Sequence, residues 1–240
     1  MAHKPQSLRR YDRKTVAERY HRQGGFAADR KVKMLTVALE LLVILAQEGG
    51  TLLELGAGTG HFTEMIVDSG RFSDIYVTDG ASSMLAIARE ALPNENGRLH
   101  FSLLDFEKQW SRRFAEITFD AVTSSMALHH AADKRGLFAQ VYDVLKPGGV
   151  FILGDHMAAA SELGQDLIGR ERALIRLGRK QQWSEEQIKE QMRIDQYRQK
   201  IEGDQCESVI QYLAYLAEVG FANADCLWQD YWLAVFLARK

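Results

Sequence analysis

An apolar run that leads into a glycine-rich turn constrains the fold of this chain more than any other feature. Residues 51–55 are Thr-Leu-Leu-Glu-Leu, and Gly56, Gly58 and Gly60 follow at alternate positions. A short apolar run bounded by turn signals is typical of a buried parallel strand. Because glycine has no Cβ, the backbone of such a turn can pass close to a bound ligand. The pattern predicts the first strand–turn–helix unit of a nucleotide-binding α/β fold.

The glycine spacing argues against two common phosphate-binding loops. The dinucleotide fingerprint is GxGxxG, whereas this chain has GxGxG with Glu54 just before it. A carboxylate at the strand end would repel a pyrophosphate, and it suits a ligand that carries an amine or a cation. The sequence also has no GxxxxGK[ST] motif, which excludes a P-loop nucleotide-hydrolysing enzyme.

Later segments alternate between strand-like and helix-like patterns, which predicts a parallel sheet with right-handed crossovers. The further strand-like segments are residues 75–79, 98–106, 119–125, 145–155 and 220–238. We expect a single domain in four parts. They are a helical lead-in at 1–50, a binding core at 51–155, a helical cap insert at 156–206, and a final helix with two strands at 207–240.

The stretch Glu-Leu-Gly-Ala-Gly-Thr-Gly at 54–60, together with the acids that end the next two strands, resembles the class I S-adenosylmethionine (SAM) dependent methyltransferases. The likeness is to the small-molecule type, methyltransferase-11/12/25-like, and covers roughly residues 11–155 and 207–239. It implies a Rossmann-like, doubly wound α/β fold with a seven-stranded sheet. That sheet is mostly parallel with an antiparallel last strand, flanked by N-terminal helices and a helical insert after strand five. It also implies SAM as the cofactor.

The resemblance assigns cofactor contacts to particular residues. Asp79 would hold the ribose hydroxyls, and Met84 would lie against the adenine. Asp105 would accept from the adenine amino group, and the backbone N–H of Phe106 would reach a ring nitrogen. Arg30 is a candidate partner of the SAM carboxylate. The full implied set is Tyr20, Glu54, Gly56, Ala57, Gly58, Gly60, Asp79, Gly80, Met84, Asp105, Phe106, Ser124 and Ser125.

Methyl transfer from a sulfonium is an in-line displacement at carbon, so the protein must align the acceptor and, for an oxygen or acidic carbon, remove its proton. Three histidines leave the carboxyl ends of strands, where the pocket of such a fold lies. Of these, His130 and His156 are the candidate general bases. We expect no metal site, because the adjacent His129 and His130 would point apart on a helix or a strand.

Charge balance and missing motifs lead us to expect a small-molecule substrate as the partner of this chain. Acidic and basic residues nearly balance at a net charge of −2, and the Asn/Asp-Pro-Pro-Tyr/Trp tetrapeptide of many nucleic-acid amino-methyltransferases is absent. We therefore expect no nucleic-acid binding. The apolar runs are too short for a membrane span. Two cysteines and a basic N-terminus without an apolar signal core favour a cytoplasmic location. A homodimer is left open.

Two alternatives to methyl transfer stay open from the sequence. An enzyme of this fold can bind SAM and perform group transfer or cyclisation, since fold does not fix the reaction. The C-terminal pattern with Trp228, Tyr231 and Trp232 has some likeness to carboxy-SAM synthases, which are of that kind. A non-catalytic SAM-binding module is the other alternative.

Overall fold

The computed structural model describes residues 6–23, 27–94 and 96–240, with backbone only at Gln6 and Gln23. The start of the predicted helical lead-in, residues 1–5, lies outside the described residues. Within the described ranges the helices are α1 Gln6–Tyr11, α2 Lys14–Gln23, α3 Ala28–Leu45, α4 His61–Asp68, α5 Ser82–Ala91, α6 Lys134–Val144, α7 Glu162–Leu177, α8 Glu185–Glu202 and α9 Val209–Val219. The strands are β1 Gly50–Leu55, β2 Phe72–Asp79, β3 Leu99–Leu103, β4 Phe119–Ser125, β5 Leu145–His156, β6 Ala222–Asp230 and β7 Leu233–Arg239.

The seven strands form one sheet in the order β3-β2-β1-β4-β5-β7-β6. Strands β1 to β5 pair in parallel, and β7 runs antiparallel to both of its neighbours. From β1 the strand order runs outward through β2 and β3 on one side, and from β4 it continues outward through β5 on the other. The carboxyl ends of β1 and β4 therefore flank the topological switch point, where ligands bind in open α/β sheets. The predicted fold class is confirmed.

The sheet is buried on both faces, which explains why its central strands are continuous apolar runs rather than alternating ones. One core layer lies beneath α3, α4 and α5 and includes Leu52, Phe62 and Ile152. The other lies beneath α6 and α9 and includes Leu53, Phe138 and Phe236. Consecutive residues of β1 therefore face opposite layers.

The predicted insert after strand five consists of α7 and α8, which pack against each other. The start signal at Ser184 is confirmed as a capping box with Gln187. The apolar positions of this insert predict a buried stripe that begins at Leu163. The prediction is wrong at the start of α7, where Leu163 and Leu167 are 71% and 51% exposed. The buried face of α7 is instead mixed, with Ile168, Glu171, Arg172 and Ala173. A helix that covers a polar cleft buries polar groups there.

Both cysteines are unpaired and half-buried, as expected. No helix among the described residues is both long and apolar enough to cross a membrane. The division into four parts, the cytoplasmic location and the oligomeric state stay predictions.

Candidate active site

The glycine turn between β1 and α4 needs its glycines for two different reasons. All three adopt positive φ, at 69° for Gly56, 59° for Gly58 and 88° for Gly60. A Cβ on Gly56 would lie 2.3 Å from the Cβ of Ala127, so that position is closed by packing. A Cβ on Gly58 would meet no described heavy atom within 4 Å. The turn thus keeps open the space beside Gly58.

The carboxylate of Asp79 is joined directly to this turn. Its Oδ2 accepts from the backbone N–H of Gly58 at 2.8 Å, and its Oδ1 accepts from the N–H of Ala81 at 2.7 Å. Burial raises the pKa of Asp79 to about 6, against the opposing effect of these hydrogen bonds. Each carboxylate oxygen has a second lone pair, so the group can still accept from a ligand hydroxyl.

A cleft opens beside these residues. The sequence-predicted residues that line it are Tyr20, Gly56, Ala57, Gly58, Asp79, Gly80, Met84, Phe106, Ser125 and His130. The sequence reasoning missed a further set, namely Ser7, Leu8, Lys31, Leu35, Thr59, His61, Phe62, Met126 and Ala127.

Two predicted cofactor residues at the turn, Glu54 and Gly60, lie behind the wall of the cleft. Glu54 is fully buried, and one of its carboxylate oxygens accepts from the hydroxyl of Thr63 at 2.7 Å. Its other oxygen, Oε1, has no hydrogen-bond partner among the described residues. Burial raises the pKa of Glu54 to about 7. Gly60 makes room for Leu92 and Ala88 at the end of α5, so its observed contact is packing.

Two others, Ser124 and Asp105, also lie outside the cleft lining. The hydroxyl of Ser124 donates to the backbone carbonyl of Leu55 at 2.7 Å and so ties β4 to β1. Asp105 pairs with Lys108 at 3.1 Å, while the next residue, Phe106, does face the cleft. Cofactor contacts of Glu54, Gly60, Ser124 and Asp105 stay predictions.

The N-terminal helices cover the cleft and are fastened to the start of α5. The carboxylate of Asp12 accepts from the hydroxyl of Ser82 at 2.8 Å, and its backbone carbonyl accepts from the hydroxyl of Ser83 at 2.7 Å. Leu8 lies against Gly80, where a Cβ would come within 2.5 Å of the leucine side chain. These contacts hold the N-terminal segment over the cleft.

A lysine, not the predicted arginine, supplies the positive charge in the cleft. Arg30 is bound by Glu171 and Asp230 and lies outside the cleft lining, so its predicted pairing with a cofactor carboxylate is not seen. Its neighbour Lys31 is only 8% exposed and donates to the hydroxyl of Tyr20 at 2.8 Å. The sequence carried a signal for this. Lys31 continues the buried stripe of α3, which is Met34, Leu35, Ala38 and Leu42.

A second, wider cleft adjoins the first and shares Tyr11, Tyr20, Lys31 and Met126 with it. The roof of this cleft is formed by α7 and α8, which supply Arg172, Arg176 and Arg198 to its lining. His129 and His156 line it from the side of the sheet. Asp204, from the segment after α8, completes this polar wall. His130 faces the first cleft and His156 the second, so the two predicted bases lie in different compartments.

The three histidines cluster, contrary to the expectation that adjacent ones diverge. The ring centroids of His129 and His130 lie 4.1 Å apart, and those of His129 and His156 lie 4.7 Å apart. The reason is local. Residues Leu128–His130 form a 3₁₀ turn rather than a strand or an α-helix, so its successive side chains do not alternate across a sheet.

Within the cluster His129 is hydrogen-bonded to a carboxylate, while the Nδ1 of His130 lies 3.5 Å from the carboxylate of Asp204. The Nδ1 of His129 lies 2.5 Å from Asp155, and both side chains are buried. Burial disfavours the charged form of His129, but the charge and hydrogen bond of Asp155 outweigh it and raise the pKa. Burial and the charge of His129 lower the pKa of His130 to about 2, and they lower the pKa of His156 as well.

Comparisons with known proteins agree with this geometry. Residues 53–151 match the family model described as a methyltransferase domain. This part of the chain is similar to the SAM-dependent methyltransferases. The matched region begins inside β1 and ends inside β5, so it contains the glycine turn, Asp79 and the histidine turn.

Relatives with different acceptors share this region. The ubiquinone/menaquinone biosynthesis C-methyltransferase UbiE of Enterobacter sp. is 35% identical over 109 residues, which are 43% of this chain and 41% of that protein. Phosphoethanolamine N-methyltransferase 2 of Caenorhabditis elegans is 33% identical over 106 residues, which are 44% of this chain and 23% of that protein. The chain therefore spans less than half of either relative.

A solved structure extends the likeness to almost the whole fold. Phosphoethanolamine N-methyltransferase 2 of Haemonchus contortus, in complex with S-adenosylhomocysteine, superposes with a TM-score of 0.66 at 17% identity. The match covers 91% of this chain and 45% of that one. At this identity the likeness concerns the fold. The two methyltransferase relatives act on carbon or nitrogen according to their names, so the likeness leaves the acceptor open.

Proposed function

We propose that this protein transfers the methyl group of SAM to a small-molecule acceptor by in-line displacement. The observation that carries the proposal is the hydrogen bond between Gly58 and Asp79 beside an open cleft that both residues line. Gly58 presents backbone without a side chain to the cleft, and Asp79 presents a carboxylate at the place where a ribose would lie. The match of residues 53–151 to the methyltransferase domain supports the same cofactor.

Within this proposal the residues that line the cleft determine where each part of SAM lies. The ribose hydroxyls donate to Asp79, and the adenine lies between Met84 and Phe106. The amino-acid end of SAM extends toward Lys31, whose ammonium is a charge-assisted partner for the carboxylate. The orphaned Oε1 of the buried Glu54 lies behind the turn and supplies negative potential on the side of the cofactor's ammonium.

The acceptor belongs in the second cleft. That cleft meets the cofactor cleft at Tyr11, Tyr20 and Met126, so an acceptor there can approach the cofactor methyl group. The roof side chain of Arg172 is only 7% exposed and lies over the Trp232 ring at 5.2 Å. A buried guanidinium in the lining supports an acceptor that carries a carboxylate or another anionic group.

Acid–base assistance by His130 and His156 stays part of the proposal. Removing a true general base lowers turnover by about 10²–10⁴-fold while cofactor affinity is kept. His130→Ala tests this for the histidine that lines the cofactor cleft. His100→Ala, on β3 and paired with Asp74, is the matched control. If His130→Ala and His156→Ala both turn over like this control, alignment alone carries the reaction.

The test is product analysis with SAM whose methyl group is deuterated. The protein is incubated with this cofactor and a cell metabolite extract, and mass spectrometry follows the label. A labelled acceptor together with S-adenosylhomocysteine is the expected result. A SAM-derived product without a methylated acceptor would instead indicate the group-transfer or cyclisation alternative. Unchanged SAM that is nevertheless bound would indicate a non-catalytic module.

A further inference from the structure

Three potential metal ligands converge in the second cleft although they are distant in sequence. One ligand atom from each of His129, His156 and Asp204 lies within 4.8 Å of the other two. The sequence predicted no metal here, because the adjacent His129 and His130 were expected to point apart and His156 lies on another loop. Asp204 follows α8 and could not be placed from the sequence.

Among the described residues, two buried polar atoms of this group make no hydrogen bond, and the Oδ1 of Asp204 has a longer contact of 3.5 Å to the Nδ1 of His130. Across the described chain, the buried Nδ1 of His156 and the buried Oδ1 of Asp204 have no hydrogen-bond partner. The Nε2 of His129 lies 3.8 Å from that same Oδ1, beyond hydrogen-bonding distance. Buried polar atoms without partners are costly, so an occupant that satisfies several of them at once is favoured.

The surroundings of His129 fit a ligand role in particular. Its Nδ1 is held by Asp155, which also accepts from the backbone N–H of His129 at 2.7 Å and of His156 at 2.8 Å. A carboxylate on one ring nitrogen fixes the tautomer that leaves Nε2 as the metal-binding atom. Asp155 thus orients two of the three candidate ligands through one buried carboxylate.

We propose that His129, His156 and Asp204 bind one divalent transition-metal ion, in which case His156 is a ligand and His130 is the remaining candidate base. Two histidines and one carboxylate are a donor set of zinc and of non-haem iron sites that keep open coordination positions. Metal–ligand bonds of about 2.0–2.2 Å hold ligand atoms roughly 3–3.5 Å apart, so small side-chain rotations complete the site. The open positions face the second cleft, where the ion would polarise an acceptor oxygen and lower its pKa.

The test is a titration with Co²⁺ of the full chain, first stripped with a chelator and dialysed, followed by visible absorption and calorimetry. We expect one equivalent per chain. Asp204→Asn and His156→Ala should lose this binding, whereas His100→Ala should keep it. Asp155→Asn should weaken the affinity by about 10–100-fold, the usual effect of removing the group that orients a ligand. Thermal melts of each variant check folding, and His156→Ala carries the comparison if Asp204→Asn does not fold.

Two results would overturn the site. They are a wild-type protein that binds no Co²⁺, and an Asp204→Asn variant that binds it as well as the wild type. A parallel titration with S-adenosylhomocysteine separates this proposal from the proposed function. That ligand is expected to bind the metal-free protein, because none of the three metal ligands lines the cofactor cleft.

Discussion

Asp79 on β2 accepts a hydrogen bond from the backbone N–H of Gly58 at 2.8 Å, and this contact ties the end of one strand to the ligand turn of its neighbour. Because β1 and β2 pair directly in parallel, the turn after β1 and the acid that ends β2 arrive at the same edge. The contact also holds Gly58 in the left-handed conformation that keeps the cleft open.

Gly58→Val should abolish cofactor binding while the protein still folds. The branched side chain would occupy the open space beside the turn, and its positive φ would add strain of about 1–3 kcal/mol. Calorimetry with S-adenosylhomocysteine measures the affinity. Gly70→Val is the matched control, since Gly70 also has positive φ and an unobstructed Cβ direction but lies outside the cleft lining. Equal affinity of the two variants would contradict a cofactor at Gly58.

Lys31→Met should weaken binding of S-adenosylhomocysteine by about 1.5–3 kcal/mol, roughly ten- to a hundredfold. That is the scale of a lost hydrogen bond to a charged group, here the cofactor carboxylate. Methionine keeps the length of the side chain, so the packing on Tyr20 changes little. Lys33→Met, on the exposed face of the same helix, is the control. If decarboxylated S-adenosylhomocysteine loses as much affinity as the parent compound, Lys31 has a different role.

Binding of S-adenosylhomocysteine should release protons at about pH 6. Burial raises the pKa of Asp79 to about 6 and that of Glu54 to about 7, so both are partly protonated in the free protein there. Hydroxyl donors and an ammonium favour the charged carboxylates, which lowers both pKa values on binding and expels protons. Calorimetry in buffers of different ionisation enthalpy counts them. Proton uptake, or no exchange, would contradict the assignment of these two acids.

The covering N-terminal segment should be held by Asp12. Asp12→Ala removes the hydrogen bonds of its carboxylate to the start of α5, so amide exchange across residues 7–22 should accelerate in the free protein. S-adenosylhomocysteine should restore part of the protection by bridging the segment to the cleft. Asp29→Ala, in the first turn of α3, is the control. Unchanged exchange in Asp12→Ala would show that other contacts hold the segment.

Short sequence motifs predicted the structural features that are formed by residues close together in the sequence. The glycine turn, the acid that ends β2 and the capping box at Ser184 each form within a few residues, so they could be assigned from the sequence. Lys31 was also within reach, since it stands on the buried stripe of α3.

The acceptor side could not be predicted in the same way, because its contacts join distant segments. Asp155 meets His129 only because β4 and β5 are adjacent in the sheet. Asp204 reaches both only after α7 and α8 have doubled back over the cleft. The ion pairs of Arg30 could not be predicted either, because its partners Glu171 and Asp230 are distant in the sequence.

The most direct test of the account is a SAM titration of the wild type, Asp79→Ala and Asp74→Ala. Asp74 lies on the same strand but is half-exposed and outside the cleft lining, so it controls for the loss of an acid. The account predicts one SAM per chain for the wild type and Asp74→Ala. Asp79→Ala should bind about 1.5–3 kcal/mol more weakly, because the cofactor hydroxyls lose a charged acceptor. Equal affinity of all three proteins, or no SAM binding by the wild type, would contradict it.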